Sequence, residues 1–243
     1  PVPPFLNASG TPSNDDGFAQ IVLTPPLTIP FYGTVYTDLF VGTNGFITFG
    51  AGSTDLSESD SDMLNGPPRI AGVWDDLNVT GAGAVNFLEG ANTIQVSFEQ
   101  VPEFSNTGSN DFCFQLFGSS SAFAGMITVS LGAVSSTDNL IGISPGGIDP
   151  VTTLPWSAVG VATGASIDFS TQVIGAGYIG TPTEAIYELF PTGTHDLGYP
   201  NGYPQIDPCT GLPLGTPVPV PTIVNFTPNP TMGVPGDLGY TGT

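Results

Sequence analysis

The sequence has almost no basic residues. Its 243 residues include 21 Asp and Glu but a single Lys or Arg, Arg69, so the formal net charge is −20. The acidic content itself is ordinary, because all charged residues together make up 9% of the chain, against about 25% in a typical domain. A surface without bases cannot neutralise phosphates, and we therefore expect no nucleic-acid partner and cations as the natural counterions.

The residues that most catalytic chemistry uses are also scarce. Without lysine there is no Schiff base and no phosphate-binding lysine, and one His with two distant Cys does not favour a zinc site. Ser144 lies in a formal Gly-x-Ser-x-Gly match, but Pro145 and two glycines follow it where a nucleophile elbow needs a helix. The only candidate base for that serine is His195, in a Pro/Gly-rich segment. We expect no enzyme, with a carboxylate-based hydrolase as the residual alternative.

Long apolar runs are missing too, since no stretch approaches the roughly 18 residues of a membrane span. The chain begins at Pro1 without an initiator Met, and we interpret it as a processed chain that is extracellular or displayed at the cell surface. Three Asn-x-Ser/Thr sequons are candidate glycosylation sites in that setting, at Asn7, Asn78 and Asn225.

Cysteine occurs only twice. Cys113 lies in an apolar, strand-like segment and Cys209 in a Pro-rich one, so a disulfide between them would join the tail to the body of the protein. The bond would close a loop of 96 residues, which the chain-entropy model values at about 4–5 kcal/mol. The alternative is a pair of unrelated free thiols.

Proline is abundant and unevenly placed. Eleven of the 25 prolines lie in residues 191–243 and seven in residues 1–30. Because proline lacks the amide donor that the interior of a sheet needs, the middle of the chain should form the sheets. We predict an extended N-terminal arm over residues 1–17, a sandwich domain over 18–190 and a Pro/Gly-rich C-terminal arm over 191–243.

Short segments rich in β-branched and aromatic residues recur between turn residues, a spacing that predicts an all-β fold, an antiparallel β-sandwich with jelly-roll or immunoglobulin-like layering. Side chains alternate in Ile94–Glu99, so one face of that strand should be core and the other solvent-exposed. Asn44-Gly45 predicts a hairpin turn, and residues 183–190 fit a short helix or a strand equally well. The predicted strands are Phe18–Leu23, Val35–Val41, Phe46–Phe49, Ile70–Trp74, Ala84–Leu88, Thr93–Gln100, Phe112–Phe117, Met126–Leu131, Leu140–Ile143 and Ser157–Ala162.

Three adjoining motifs resemble a known family. They are PFYGTVY at residues 30–36, LFVGTNGFITFG at 39–50 and IAGVWDDL at 70–77. Together with the apolar segments that follow, they are similar to the nidogen-type (NIDO) domain over roughly residues 18–145. The resemblance implies a β-sandwich in a secreted or surface-displayed matrix or adhesion module without known catalysis. The missing bases and the long Pro-rich arms depart from the family pattern.

Acidic residues concentrate in two segments. TDLSESDSDMLNG at residues 54–66 has the Asp-x-Asp spacing, hydroxyls and glycine of a loop that can wrap a hard cation, and SNDDG at residues 13–17 is a smaller cluster. The sequence requires no cofactor, but it makes Ca²⁺ a candidate ligand. The alternative is that these are solvated loops, or that the pair at 75 and 76 accepts backbone amides in a tight turn. The candidate ligands are Asp15, Asp16, Asp55, Glu58, Asp60, Asp62, Asp75 and Asp76.

Two Pro-free apolar segments could each add as a strand to the edge of a sheet. If an arm docks on a neighbouring copy and the contact does not close into a ring, a filament results. We therefore predict a structural subunit of an extracellular filament, sheath or matrix, whose partner is itself. The alternative is a monomeric adhesion module that binds a glycan or a matrix protein, with or without Ca²⁺. The pairing residues are Ile21, Val22 and Leu23 in one segment and Ile223, Val224 and Phe226 in the other.

Overall fold

The computed structural model describes residues 2–80, 83–147, 152–155, 167–168 and 184–190. Within these ranges the chain forms fourteen β-strands, a short α-helix and one 3-10 turn, at residues 104–106. The elements are β1 (Phe18–Val22), β2 (Ile29–Phe31), β3 (Thr34–Tyr36), β4 (Asp38–Gly42), β5 (Phe46–Thr48), α1 (Asp60–Asn65), β6 (Arg69–Trp74), β7 (Ala84–Glu89), β8 (Thr93–Glu103), β9 (Thr107–Phe117), β10 (Ile127–Val134), β11 (Asn139–Ser144), β12 (Thr152–Pro155), β13 (Ile167–Asp168) and β14 (Glu184–Phe190).

Two large sheets form the predicted all-β sandwich. Among the described strands, one sheet has the order β1-β4-β5-β6-β11-β14-β12 and the other β13-β10-β9-β8-β7, while β2 and β3 make a separate hairpin. The strands pair antiparallel except β12 with β14. The sheets pack closely where Gly72 of β6 meets Phe112 and Phe114 of β9, because a Cβ at Gly72 would lie 2.8 and 2.6 Å from these rings. The prediction of a mostly antiparallel sandwich is confirmed.

The alternation in β8 places its apolar side chains in the core. Ile94, Val96 and Phe98 are fully buried, and the Phe98 ring stacks on its cross-strand neighbour in β9 with centroids 4.5 Å apart. The prediction that the opposite face is solvent-exposed is wrong at its centre. Ser97 is 8% exposed and its neighbour Cys113 3%, so this face of the sheet is covered there.

The N-terminal strap, residues 2–17, closes one side of the sandwich. Val2 donates its N–H to a carbonyl of β7 at 3.3 Å, and Leu6 exchanges two hydrogen bonds with Phe18 of β1, at 2.8 and 2.9 Å. Phe5 is buried in the core between these contacts. Since β7 and β1 are edge strands of different sheets, the segment predicted as the N-terminal arm bridges the two layers of its own domain.

A helix replaces part of the predicted cation-binding loop. The side chain of Ser59 caps α1 by accepting the Asp62 N–H at 3.0 Å. Met63 is fully buried with Phe46 and Trp74 in a second apolar cluster, separate from the main core. Burial of this one methionine fixes the segment as a helical turn, so its acidic residues do not encircle a common point.

The last described strand resolves the ambiguous segment at residues 183–190. It is the strand β14, which lies between β11 and β12. The predicted strand Ser157–Ala162 and the C-terminal arm, with its cysteine, histidine, sequon and pairing segment, lie outside the described residues. The described part of the chain contains no helix long and apolar enough to cross a membrane.

Candidate metal centre

Three carboxylates from two separate segments meet at one end of the sandwich. Asp15 and Asp16 belong to the N-terminal strap, and Asp76 follows β6. One carboxylate oxygen from each lies within 4.8 Å of the other two. We call these three residues the aspartate triad. It joins the acidic segment at residues 13–17 to the aspartate pair at 75 and 76, and it contains three of the eight predicted ligands.

A tight turn in the strap presents the first two aspartates. Asp16 has a φ of 49°, in the left-handed region that aspartate tolerates better than most residues. Gly17 then exchanges hydrogen bonds with Thr43, donating its N–H to Oγ1 at 2.9 Å and accepting the Thr43 N–H at 2.8 Å. A Cβ at Gly17 would lie 2.6 Å from the Ser13 carbonyl oxygen, so the turn requires glycine.

Asn44 holds the segments around the triad together. Its side chain is buried, and Nδ2 donates to Asp16 Oδ1 and to the Asp55 carbonyl, both at 3.0 Å. Oδ1 accepts the Leu77 N–H at 3.1 Å. From the sequence, Asn44 was predicted only as a residue of the hairpin turn. A polar side chain next to a buried strand was the only sequence signal that Asn44 also joins other segments. The signal does not identify its partners, because they are distant in sequence.

The third aspartate lies in the tight turn that follows β6. Asp75 Oδ1 accepts the Asp76 N–H at 2.7 Å, as in the predicted alternative in which this pair binds backbone amides. The Asp76 carbonyl accepts the Phe104 N–H at 2.6 Å. The strap is tied to the same turn, because the N–H of Val79 donates to the carbonyl of Asn14 at 3.0 Å. The backbone therefore fixes Asp76 opposite the strap.

The triad is electrostatically unbalanced. Burial first, and then the charges of Asp16, Asp15 and Asp75, raise the pKa of Asp76 to about 6. Burial and Asp16 also raise the pKa of Asp15. Asp15 Oδ1 is buried and has no hydrogen-bond donor within the described structure. A proton or a cation near this oxygen would therefore stabilise the folded state.

A looser acidic group adjoins the triad. Burial is the main reason that the pKa of Glu58 rises to about 7, and Asp75, Asp138 and Asp76 add to the effect. Burial also raises the pKa of Asp75, although a hydrogen bond from Ser136 opposes the shift. Neighbouring carboxylates contribute to both pKa shifts, so the negative potential at this end of the domain extends beyond the triad.

The only arginine neutralises a different aspartate. Arg69 is fully buried, and its Nη2 lies 2.5 Å from Asp55 Oδ2 and 3.0 Å from Ser53 Oγ. The guanidinium stacks over the rings of Phe46 and Trp74, with distances of 4.5 and 4.0 Å to their centroids. Burial would raise the pKa of Asp55, but hydrogen bonds from Ser53 and Arg69 hold this pKa below its usual range. Arg69 is thus committed to Asp55 and cannot balance the triad.

Two further predicted ligands lie on α1, apart from the triad. Asp62 Oδ2 accepts a hydrogen bond from Ser59 Oγ at 2.6 Å, as part of the helix cap. Asp60 begins the helix. Burial, and then a hydrogen bond with Asp60 and the charge of Asp60, raise the pKa of Tyr187 in the second apolar cluster. The sequence predicted both carboxylates as metal ligands, but in the structure they interact with Ser59 and Tyr187.

The other predicted sites are distributed over the surface and the core. In the segment 21–23, Ile21 and Leu23 are buried while Val22 is 72% exposed. The sequon residues Asn7 and Asn78 each accept backbone N–H groups within their own turns. Cys113 is 3% exposed, in β9. The predicted partner Cys209, the sequon Asn225 and the pairing residues Ile223, Val224 and Phe226 lie outside the described residues, so these assignments stay predictions.

Comparison with known families matches the same part of the chain. The family described as NIDO related matches residues 5–117, a range that includes the aspartate triad, Asn44 and strands β1–β9. No curated protein and no solved structure matches the chain. Domains of the nidogen type are typically extracellular. The match supports a nidogen-type domain within residues 5–117.

Proposed function

We propose that this chain is an extracellular matrix or adhesion module that binds Ca²⁺ at the aspartate triad. The observation that carries the proposal is the convergence of Asp15, Asp16 and Asp76 within 4.8 Å. Carboxylate oxygens are the ligands that Ca²⁺ prefers, and backbone carbonyls and water usually complete its six to eight positions. The donors in the triad are all oxygens, which favours a hard cation over zinc or copper.

The place of the triad gives the cation a structural role. Two ligands lie on the N-terminal strap and the third on the turn after β6, so a bound ion would fasten the strap to the sandwich. A module of this kind would be stiff where Ca²⁺ is abundant, and its loops at this end would bind a glycan or a matrix protein. Extracellular modules typically bind Ca²⁺ with dissociation constants of about 0.1–1 mM.

Thermal unfolding of the full chain tests the proposal. Ca²⁺ should raise the Tm of the wild type, EDTA should reverse the rise, and Asp16→Asn should abolish it. Asp38→Asn is the matched control, because Asp38 lies on β4, where its carboxylate accepts a hydrogen bond from Gln20 at 2.7 Å. A rise that NaCl of equal ionic strength reproduces, or that Asp16→Asn retains, would contradict Ca²⁺ binding at the triad.

The proposed function is not enzymatic. Ser144 is buried at the end of β11, and its hydroxyl accepts the Gly146 N–H at 3.0 Å. The chain continues into Gly146 and Gly147 with φ values of 63° and 61°, in place of the helix that a nucleophile elbow requires. Incubation with ester and glycoside substrates should give no turnover, and turnover that Ser144→Ala or Glu58→Gln removes would contradict this part of the proposal.

A second candidate function is self-assembly into a filament, sheath or matrix. The observation that favours it is the position of β1 at the edge of the seven-stranded sheet, with Val22 72% exposed. Edge strands of this kind are templates for pairing with another chain. Sedimentation and electron microscopy of the purified chain test it directly, since ordered fibres are expected and a persistent monomer would contradict self-assembly.

A further inference from the structure

The outer edge of β1 carries free backbone groups at two residues. Gly17 and Leu23 hydrogen-bond inward, toward Thr43 and Thr37, whereas both polar backbone groups of Phe18 bond outward to the strap. Because the pattern in a strand has a period of two residues, the N–H and C=O of residues 20 and 22 also point outward. Within the described chain, no backbone group of the strap or of another element bonds to them.

This edge is suited to pairing. The strap pairs with β1 only through the antiparallel bridge between Leu6 and Phe18. Residues 4 and 2 would lie beside Gln20 and Val22 if the pairing continued, but residue 4 is a proline and Val2 bonds to β7 instead, so the strap leaves this part of β1 without backbone partners on that side. The side chain of Val22 is 72% exposed, and the rings of Phe18 and Phe40 make an edge-to-face contact on the same side of the sheet, with centroids 5.8 Å apart. An added strand would gain two N–H and two C=O partners and an apolar surface.

We infer that residues 222–226 of a second copy pair with this outer edge of β1. The inference rests on self-assembly, the second function proposed above, and names the segment that would carry it. The segment TIVNF lies between Pro221 and Pro228 and contains no proline, so all its amides can join a ladder. In an extended strand, Thr222, Val224 and Phe226 share one face, which can extend the apolar surface beside Val22.

Charge explains why this segment can approach another copy. Two chains with a formal charge of −20 each repel one another unless the contact avoids acidic surface. Residues 208–236 contain no charged side chain, and the pairing segment lies in the middle of this uncharged stretch. It can therefore reach the edge of β1 without adding like charges to the contact.

Amide hydrogen exchange tests the inference at single residues. In the dispersed chain, the outward N–H groups of Gln20 and Val22 should exchange fast, while the N–H of Ile21, which points toward β4, is protected. Assembly should slow Gln20 and Val22 by about tenfold when about 90% of chains are paired, and leave Ile21 unchanged. Assembly without slowing at Gln20 and Val22 would overturn the inference.

Two variants identify the paired segments. Val22→Pro removes only an outward N–H and should disable the accepting edge, while Val224→Pro should disable the inserting segment. Each variant alone should stay monomeric, and their mixture should form dimers but no fibres, because one accepting edge and one inserting segment remain. Val234→Pro, the same change outside the pairing segment, is the matched control and should assemble like the wild type.

The outcomes separate this inference from the functions on which it rests. If Val22→Pro does not fold, two measurements still test the inference. They are amide exchange at Gln20 and Val22 in the wild type and the assembly of Val224→Pro. A wild type that remains monomeric would overturn both self-assembly and this pairing. Fibres that persist in Val224→Pro would overturn the pairing and leave self-assembly standing. None of these results changes the expected binding of Ca²⁺ at the triad.

Discussion

Replacing Asp76 by asparagine should make the domain more stable than the wild type without Ca²⁺ and less stable than the wild type with Ca²⁺. Asparagine has nearly the shape of aspartate but carries no charge. Without the ion, the change removes one of three mutually repelling carboxylates. With the ion, it removes a charged ligand. A structural role for Asp76 that is independent of metal would give the same sign in both conditions.

The expected gain without Ca²⁺ follows from the pKa of Asp76. Its rise from 3.8 to about 6 corresponds to about 3 kcal/mol of destabilisation at neutral pH. The carboxylate is partly exposed, so solvent screening reduces this figure, and we expect Asp76→Asn to be more stable by about 1 kcal/mol. For a domain of this size, the Tm would rise by about 2–4 °C.

The expected loss with Ca²⁺ follows from mass action. A site with a dissociation constant of about 0.1–1 mM stabilises the wild type by about 1.4–2.7 kcal/mol in about 10 mM Ca²⁺. The Tm of the wild type should then rise by about 3–10 °C. Asp76→Asn should respond by less than about a tenth of that shift, so the order of stability of the two proteins reverses.

Calorimetry or Trp fluorescence of the full chain can record both proteins in EDTA and in CaCl₂. Asp38→Asn removes a charge from a different part of the domain and should keep the full response to Ca²⁺. The reasoning is refuted if Asp76→Asn responds to Ca²⁺ as the wild type does. It is also refuted if the variant is less stable in EDTA, since the triad would then not be a site of net repulsion.

Three further predictions concern other parts of the chain. Trypsin should leave the folded chain intact, because its only cleavage site, Arg69, is fully buried in β6; cleavage at the rate of an unfolded control would contradict this burial. Without Ca²⁺, ionisation of Glu58 should reduce the stability of the folded state as the pH rises from about 4.5 to 7. In urea unfolding, Glu58→Gln should therefore be about 1–2 kcal/mol more stable than the wild type at pH 8 but not at pH 5. An equal gain at both pH values would contradict a raised pKa of Glu58. Alkylation should change the mass only after reduction if Cys113 pairs with Cys209, and adducts before reduction would exclude the bond.

Local patterns were sufficient to predict most of the strands. The alternation in Ile94–Glu99 placed three side chains in the core, and Asn44-Gly45 marked the turn between β4 and β5. Gly45 has a φ of 81°, and a Cβ there would lie 1.9 Å from the Val73 carbonyl oxygen. Such features depend on neighbouring residues or on one close contact, and they are therefore visible in the sequence.

The triad needed information that local patterns do not contain. The sequence marked Asp15, Asp16 and Asp76 as candidate ligands, but only the path of the strap from β7 to β1 brings Asp15 and Asp16 to Asp76. In the same way, one buried methionine at position 63 turned the expected loop into a helix. Burial on the outer face of a sheet depends on tertiary packing, which also explains why Ser97 was wrongly expected to be exposed.

Titration of the isotopically labelled chain with Ca²⁺, followed by NMR of its backbone amides, tests the aspartate triad most directly. We expect shifts at residues 15–17 and 75–78 that follow one binding curve and saturate at one ion per chain. Asp76→Asn should remove these shifts, and Asp38→Asn should retain them. The absence of shifts in both segments, or shifts centred on α1 instead, would contradict Ca²⁺ binding between the strap and the turn after β6.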